Sequence, residues 1–201
     1  MSQPTIRKQR IRRSSVKTRL IVFGTLAVLL LLFSIFSEYL TPYDPYLQDL
    51  SIAKAPPSAE HLLGTDRYGR DMLSRVIVGS RASIFSTLLL VVVITVLGTV
   101  VGVFCGWHGR WMDTVLMRIS DMFLAFPGLV FALAVAGSLG GGLQNAIIAL
   151  AAISWPKYAR IARSQTLAQK ETVWMKAAKL SGSSTGKLIF KHILPNIIGP
   201  I

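Results

Sequence analysis

ASIFSTLLLVVVITVLGTVVGVFCGW, residues 82–107, contains no charged side chain, and none occurs between Arg81 and Arg110. A helix of this length rises well beyond the ~20 apolar residues needed to cross a ~30 Å hydrocarbon core. The stretch therefore predicts a membrane-spanning helix and sets the class of the whole chain. It also carries Gly98, Gly102 and Gly106 at strict four-residue spacing, which puts them on one helix face. Such a face lets a second helix approach closely, although glycine is also simply common in membrane helices.

Composition agrees. Apolar residues make up 52% of the 201, charged residues 15%, below the roughly 25% usual for soluble domains. Mean hydropathy is +0.53. The excess of 22 Lys+Arg over 9 Asp+Glu raises the question of nucleic acid. The basic residues, however, flank apolar runs rather than forming a continuous face, which is the pattern of orientation in a membrane. The N-terminal tail is short and lacks interleaved aromatics, so nucleic-acid binding is not expected. Cys105 is the single cysteine and cannot form an internal disulfide, and His61, His108 and His192 are far apart in the chain. No Walker-type glycine loop, GxSxG elbow or HExxH motif is present. The sequence predicts neither an enzyme nor a metal or cofactor site.

Toward the N-terminus, a loop over 41–81 is polar and carries Pro42, Pro45, Pro56 and Pro57. Its early part, TPYDPYLQDL, is expected to be extended, because residues before proline avoid the helical region. Before it lies an apolar run over about 20–40. A basic tail over 1–19 precedes that run, with Arg7, Lys8, Arg10, Arg12, Arg13, Lys17 and Arg19 and no acid. The order resembles a signal peptide, but the run is long for one and no small-x-small cleavage site follows it. We read an uncleaved first span with a cytoplasmic N-terminus. Six of the nine acids (Glu38, Asp44, Asp49, Glu60, Asp66, Asp71) then fall at its far end or in the outer loop.

Toward the C-terminus, Trp107-His108-Gly109-Arg110 is a short basic turn. A third span is predicted over about 115–137, with Arg118 and Asp121 pairing along one face and Pro127 kinking the helix. SLGGG, 138–142, is an outer turn. A fourth span covers about 143–161, broken or kinked near Pro156. Lys157, Arg160, Arg163, Lys170, Lys176, Lys179, Lys187 and Lys191 follow or close it, against the single acid Glu171. The positive-inside rule places this loop with the basic tail, as four spans require.

Within that loop, Val173, Ala177 and Leu180 form an apolar stripe widened by Trp174 and Ala178, with Lys170, Lys176 and Lys179 solvated. Gly182 stands where a left-handed helix stop is wanted, and Ser183, Ser184 or Thr185 can cap a second helix. Leu188, Ile189, His192 and Ile193 give that helix its apolar face, and Pro195 disfavours its continuation. Two occupants suit such a surface: a groove on another protein, or anionic lipid.

The segment KAAKLSGSSTGKLIFKHILP, 176–195, resembles the cytoplasmic signature of permease subunits of ATP-binding-cassette importers, in the dipeptide, oligopeptide and nickel group. Ala177, Ala178 and Gly182 match that signature in register, and Leu194-Pro195 matches its close. Lys176 stands where the family usually has an acid. PPSAEHLLGTDRYGRDMLSRVIVGSRASI, 56–84, is similar to the family's segment after the first span, with Gly64, Thr65 and Asp66 and then Gly69, Arg70 and Asp71 at its centre. YDPYLQDL and RISDMFLAFPGL also resemble family sequence. The likeness covers residues 20 to 200, roughly.

The resemblance implies an all-α polytopic transmembrane bundle of the importer permease type, with a transmembrane domain over 20–201. Four spans would be complete, six are expected in the family, and a fifth begins over 196–201. It implies a bacterial inner-membrane subunit for di- or oligopeptides or nickel. Its partners would be ABC ATPase subunits, a second homologous permease, an extracytoplasmic solute-binding protein and the lipid membrane, with ATP hydrolysed by the ATPases. The loop over 162–195 would then couple to the ATPase through Lys176, Ala177, Ala178, Gly182, Leu194 and Pro195. A competing reading is a non-transporting or truncated protein of the same fold, either a sensor subunit or an inactive remnant. For Gly64, Thr65, Asp66, Gly69, Arg70 and Asp71, a structured loop with glycine turns and Asp–Arg pairs is expected rather than a metal or catalytic site. His192 is expected to be a contact, and His108 a surface turn residue.

Overall fold

The computed structural model describes residues 9–199, with side chains from residue 17 onward. Residues 1–8 of the basic tail and residues 200–201 of the expected fifth span lie outside the described residues. The described chain is helical, and its only β-type pairing is an isolated bridge between Thr65 and Asp71. It divides into two compact units, Met1–Phe85 and Ser86–Ile201.

The first unit opens with α1, Gln9–Ile35, which begins inside the basic tail. Its residues Lys17–Ile35 are long and apolar enough to cross a membrane. Leu20, Ile21 and Phe23 are exposed, as expected of a helix that is apolar all round and meets lipid or another chain. A 3₁₀ turn, Ser37–Tyr39, ends this run. The loop then holds a second such turn, Leu50–Ile52, and is otherwise irregular rather than extended. Asx turns set its path: Asp44 accepts from the Tyr46 amide at 2.8 Å and Asp49 from the Ser51 amide at 2.9 Å. Helix α2, Met72–His108, starts well before the apolar run and continues into the second unit.

In the second unit, α2 lies against α5, Gly142–Lys170. A Cβ added at Gly98 would sit 2.4 Å from the Tyr158 Cβ, one at Gly102 2.3 Å from the Ala159 carbonyl oxygen, and one at Gly106 2.8 Å from the Thr166 Cβ. The three glycines thus form the surface on which α5 packs, backbone against backbone. Between α2 and α5 come α3, Arg110–Ala125, and α4, Gly128–Ser138.

Here the sequence expectation is corrected. The third span, expected over 115–137 with a kink, is two helices meeting at 91°. Pro127 has no amide hydrogen and forces Phe126 into extended backbone (φ −85°, ψ 147°), so the helix stops outright. Helix α4 then packs along α5 through Ala132, Ala149 and Ile153. Asn145 closes the glycine turn between them, donating to the Leu139 and Gly141 carbonyls at 2.7 Å.

The fourth span is also altered. Expected over 143–161, it is the first part of a 29-residue helix that passes through Pro156 and carries Lys157, Arg160, Arg163 and Lys170. Among the described residues, two helices are long and apolar enough to cross a membrane, and a third if α3 and α4 count as one span. Two charges of α5 are matched by acids on α3. Arg163 meets Asp113 of α3 in a two-pronged pair, with N–O distances of 2.5 and 2.6 Å, and Arg160 pairs with Asp121. Such pairing is how a membrane protein tolerates ionised groups among its helices. Asp121 was expected to pair with Arg118, three residues away; its partner is Arg160, 39 residues on.

Candidate coupling segment and outer loop

Helix α5 ends at Lys170, and a turn at Glu171-Thr172 leads into α6, Val173–Leu180. Lys176 reaches back to Glu171 at 3.0 Å, and this ammonium holds the Glu171 carboxyl below its ordinary value. Both side chains are exposed, so the pair is a weak contributor. Two bonds end α6 in a Schellman motif: the Gly182 amide donates to the Lys179 carbonyl at 3.0 Å and the Ser183 amide to the Ala178 carbonyl at 3.2 Å. The motif needs a left-handed residue between them, and Gly182 supplies it at φ +80°.

A second helical rod follows: α7, Thr185–Leu188, a π turn over Ile189–Ile193, and α8, Leu194–Ile197. Ser184 occupies the N-cap position but makes no side-chain cap bond. Pro195 was expected to end this rod, and instead lies inside it. A π turn relaxes the tight spacing in which a proline ring would strike the preceding carbonyls, so the rod continues to Ile197.

The inner face of the segment is not the expected stripe. Met175, at 0% exposure, is the residue of α6 that enters the core, beside Leu188, Ile193 and Ile197, with Val103 from α2 and Ala162 from α5. Val173 and Leu180, expected in the stripe, are 84% and 90% exposed. The reason is geometric: α6 has only two turns, and the bend at Glu171-Thr172 rotates it so that Met175 and Ala178 face the bundle. Of the remaining candidates, Lys176, Ala177 and Pro195 are exposed, Ala178 and Leu194 half-buried. His192 is half-buried, its ring 5.6 Å from that of Trp174. His108 stacks on Phe104. The segment is therefore anchored on one side and offers Val173, Ala177 and Leu180 on the other, flanked by lysines.

The outer-loop candidates belong to a separate, self-contained knot. Asp66 accepts from the Tyr68 amide at 2.8 Å, the Arg70 amide at 3.1 Å and Arg70 Nε at 2.8 Å. The Arg70 guanidinium holds its carboxyl far down, to about 2. Thr65 donates its hydroxyl to the Ile52 carbonyl and accepts from the Ala55 amide. Asp71 caps α2 by accepting from the Ser74 amide and hydroxyl, both at 2.7 Å, and receives His61 Nδ1 at 3.0 Å. Burial pushes the Asp71 carboxyl up, but the Ser74 and His61 contacts outweigh it and leave it below its ordinary value. Gly64 and Gly69 both take left-handed backbone. At Gly69 the chain has no room for anything else, since a Cβ would lie 1.6 Å from the Asp49 carbonyl oxygen. No group of three or more His, Cys, Asp or Glu side chains suited to a metal occurs among the described residues.

Comparison with known proteins now assigns the chain. Residues 98–201 match the family model described as the binding-protein-dependent transport system inner membrane component. The chain is 42% identical over 178 residues to the probable D,D-dipeptide transport system permease protein DdpC of Escherichia coli (strain K12), covering 89% of this chain and 60% of that protein. It is 38% identical to the dipeptide transport system permease protein DppC of Alkalihalophilus pseudofirmus, over 92% of this chain and 61% of the relative. It is 36% identical to the glutathione transport system permease protein GsiD of Pectobacterium atrosepticum, over 89% and 60%. The chain thus spans about three-fifths of the length of these relatives. It belongs to the family of binding-protein-dependent transport system inner membrane components, which are helical membrane proteins.

Proposed function

We propose that this chain is the membrane subunit, or part of it, of an ATP-driven importer for di- or oligopeptides. In this reading, α6, Gly182 and α7 dock on a separate ATPase subunit. The observation that carries the reading is the two-sidedness of the segment. Met175, Leu188 and Ile193 fix it to α2 and α5, while Val173 and Leu180, at the two ends of α6, face outward. Exposed apolar anchors on a rigid, internally anchored turn are what a protein groove selects.

The peptide class is favoured over nickel because the relatives described above are permeases of D,D-dipeptide, dipeptide and glutathione transport systems. A second permease subunit and an extracytoplasmic solute-binding protein complete the assembly. The basic tail and the lysines around α6 are placed in the cytoplasm, and the loop over 41–71 outside, by the positive-inside rule. Lys176 stands where the family usually has an acid, and its side chain is exposed beside Glu171.

The test is Gly182→Val in the transporter expressed with its ATPase. A β-branched residue is strained at φ +80°, so the turn shifts and with it Leu180. Peptide uptake and co-purification of the ATPase should both fall about tenfold or more. Unchanged uptake and association would contradict the reading.

A further inference from the structure

Trp107, in the last turn of α2, is where three elements meet. Its carbonyl is one of the unpaired acceptors at a helix C-terminus, and Lys170, the last residue of α5, donates to it at 2.7 Å. Its indole ring lies 4.7 Å from the Lys179 ammonium on α6 and 5.9 Å from that of Lys170. The ring also packs against the buried cluster that contains Val103, Met175 and Leu188.

We propose that Lys170, Trp107 and Lys179 form the joint through which displacement of α6 is passed to α2, with Trp107 as the positioning residue. The inference rests on α6 being the ATPase-docking helix. Its core contacts through Met175 are apolar, and apolar adhesion is non-directional. A hydrogen bond weakens steeply with angle, and a cation attracts a ring only within about 6 Å of its centre. These two contacts fix position where the apolar cluster fixes only proximity.

The lever is favourable. Helix α6 pivots at Glu171-Thr172, and Lys179 lies at its other end, about 9 Å away along the helix. Rocking of α6 therefore moves Lys179 more than the residues near the pivot. Trp107 then passes the movement to the end of a 37-residue helix whose Gly98, Gly102 and Gly106 lie directly on α5.

The experiment uses the assembled transporter in proteoliposomes, with peptide uptake and ATP hydrolysis measured in the same vesicles. The variants are Lys170→Gln with Lys179→Gln, Trp107→Leu, and Trp107→Phe. Uptake per ATP hydrolysed should fall about fivefold in the lysine pair and in Trp107→Leu, the lower range of measured site-to-site coupling. Trp107→Phe keeps a ring face and should retain at least about half the wild-type ratio. ATPase co-purification should be unchanged in the two Trp107 variants, whose side chain packs against the buried cluster away from the docking face. In the lysine pair, uptake is read per ATP hydrolysed so that any change in association is separated from it. Lys179 is exposed and removing the Lys170 charge opens no core cavity, so the lysine pair decides the outcome even if Trp107→Leu accumulates poorly. An unchanged ratio in the lysine pair, or a fall explained wholly by lost ATPase, overturns the joint. A wild-type complex that neither retains an ATPase nor takes up peptide overturns the docking reading instead.

Discussion

In the outer loop, Gly69 turns the chain in left-handed backbone beside an acid that gathers its own amides and its own arginine. In the segment after α5, Gly182 turns the chain in the same backbone region, beside Leu180, which touches almost nothing. The outer loop uses each of Asp66, Asp71, Thr65 and His61 on partners inside the same unit. The segment after α5 commits one face to the bundle and leaves the other open. Regions built with similar local devices therefore differ in where their contacts end. The first motif satisfies its named polar groups internally, whereas the second keeps Val173 and Leu180 exposed, which is the basis of the docking proposal.

The comparison can be broken first at Gly69. Gly69→Val places a Cβ on the Asp49 carbonyl and should cost about 3 kcal/mol or more, seen as loss of folded protein and rapid protease cleavage of the outer loop. A stable Gly69→Val protein would mean the knot is not closed as described. The opposite behaviour is expected at Leu180. Leu180→Asp should leave thermal stability within about 0.5 kcal/mol, as for surface positions, yet reduce ATPase co-purification about 30-fold, the effect of one interface hot spot.

A smaller effect comes with pH. Asp66 is held at about 2 against an ordinary 3.8, a depressed carboxyl. Its support for the loop is therefore complete above about pH 4 and is lost as pH falls toward 2. Protease sensitivity of the outer loop should rise over that window, and Asp66→Asn should be sensitive at neutral pH and lose the Asp66 part of the transition. The smallest effect is at Lys176. Because its pair with Glu171 is exposed, Lys176→Ala should leave stability unchanged and ATPase association within about threefold. A large loss there would show the open face extending over Lys176.

The spanning helix at 82–107 is legible in the sequence because a long uncharged run has few alternatives. The turn at Gly182 is legible because a helix stop is a local event. What was not legible is non-local. Asp121 has Arg118 three residues away and pairs with Arg160 instead, because α3 lies across α5. Trp107 gave no hint of Lys170 and Lys179, which fold brings back over 63 residues and more. Met175 is one apolar residue among several in α6, and only the bend at Glu171-Thr172 decides that it points inward. The two prolines erred in opposite directions. Pro127, expected to kink, makes a 91° corner, and Pro195, expected to stop a helix, is absorbed by a π turn.

The central claim is that the face carrying Leu180 meets an ATPase subunit. A photo-crosslinking side chain placed at position 180 of the intact transporter in membranes tests this directly, with position 46 in the outer loop as the control. The account predicts a crosslink from position 180 to the ATPase and none from position 46, although both residues are exposed. Crosslinks from position 180 to lipid alone would contradict it.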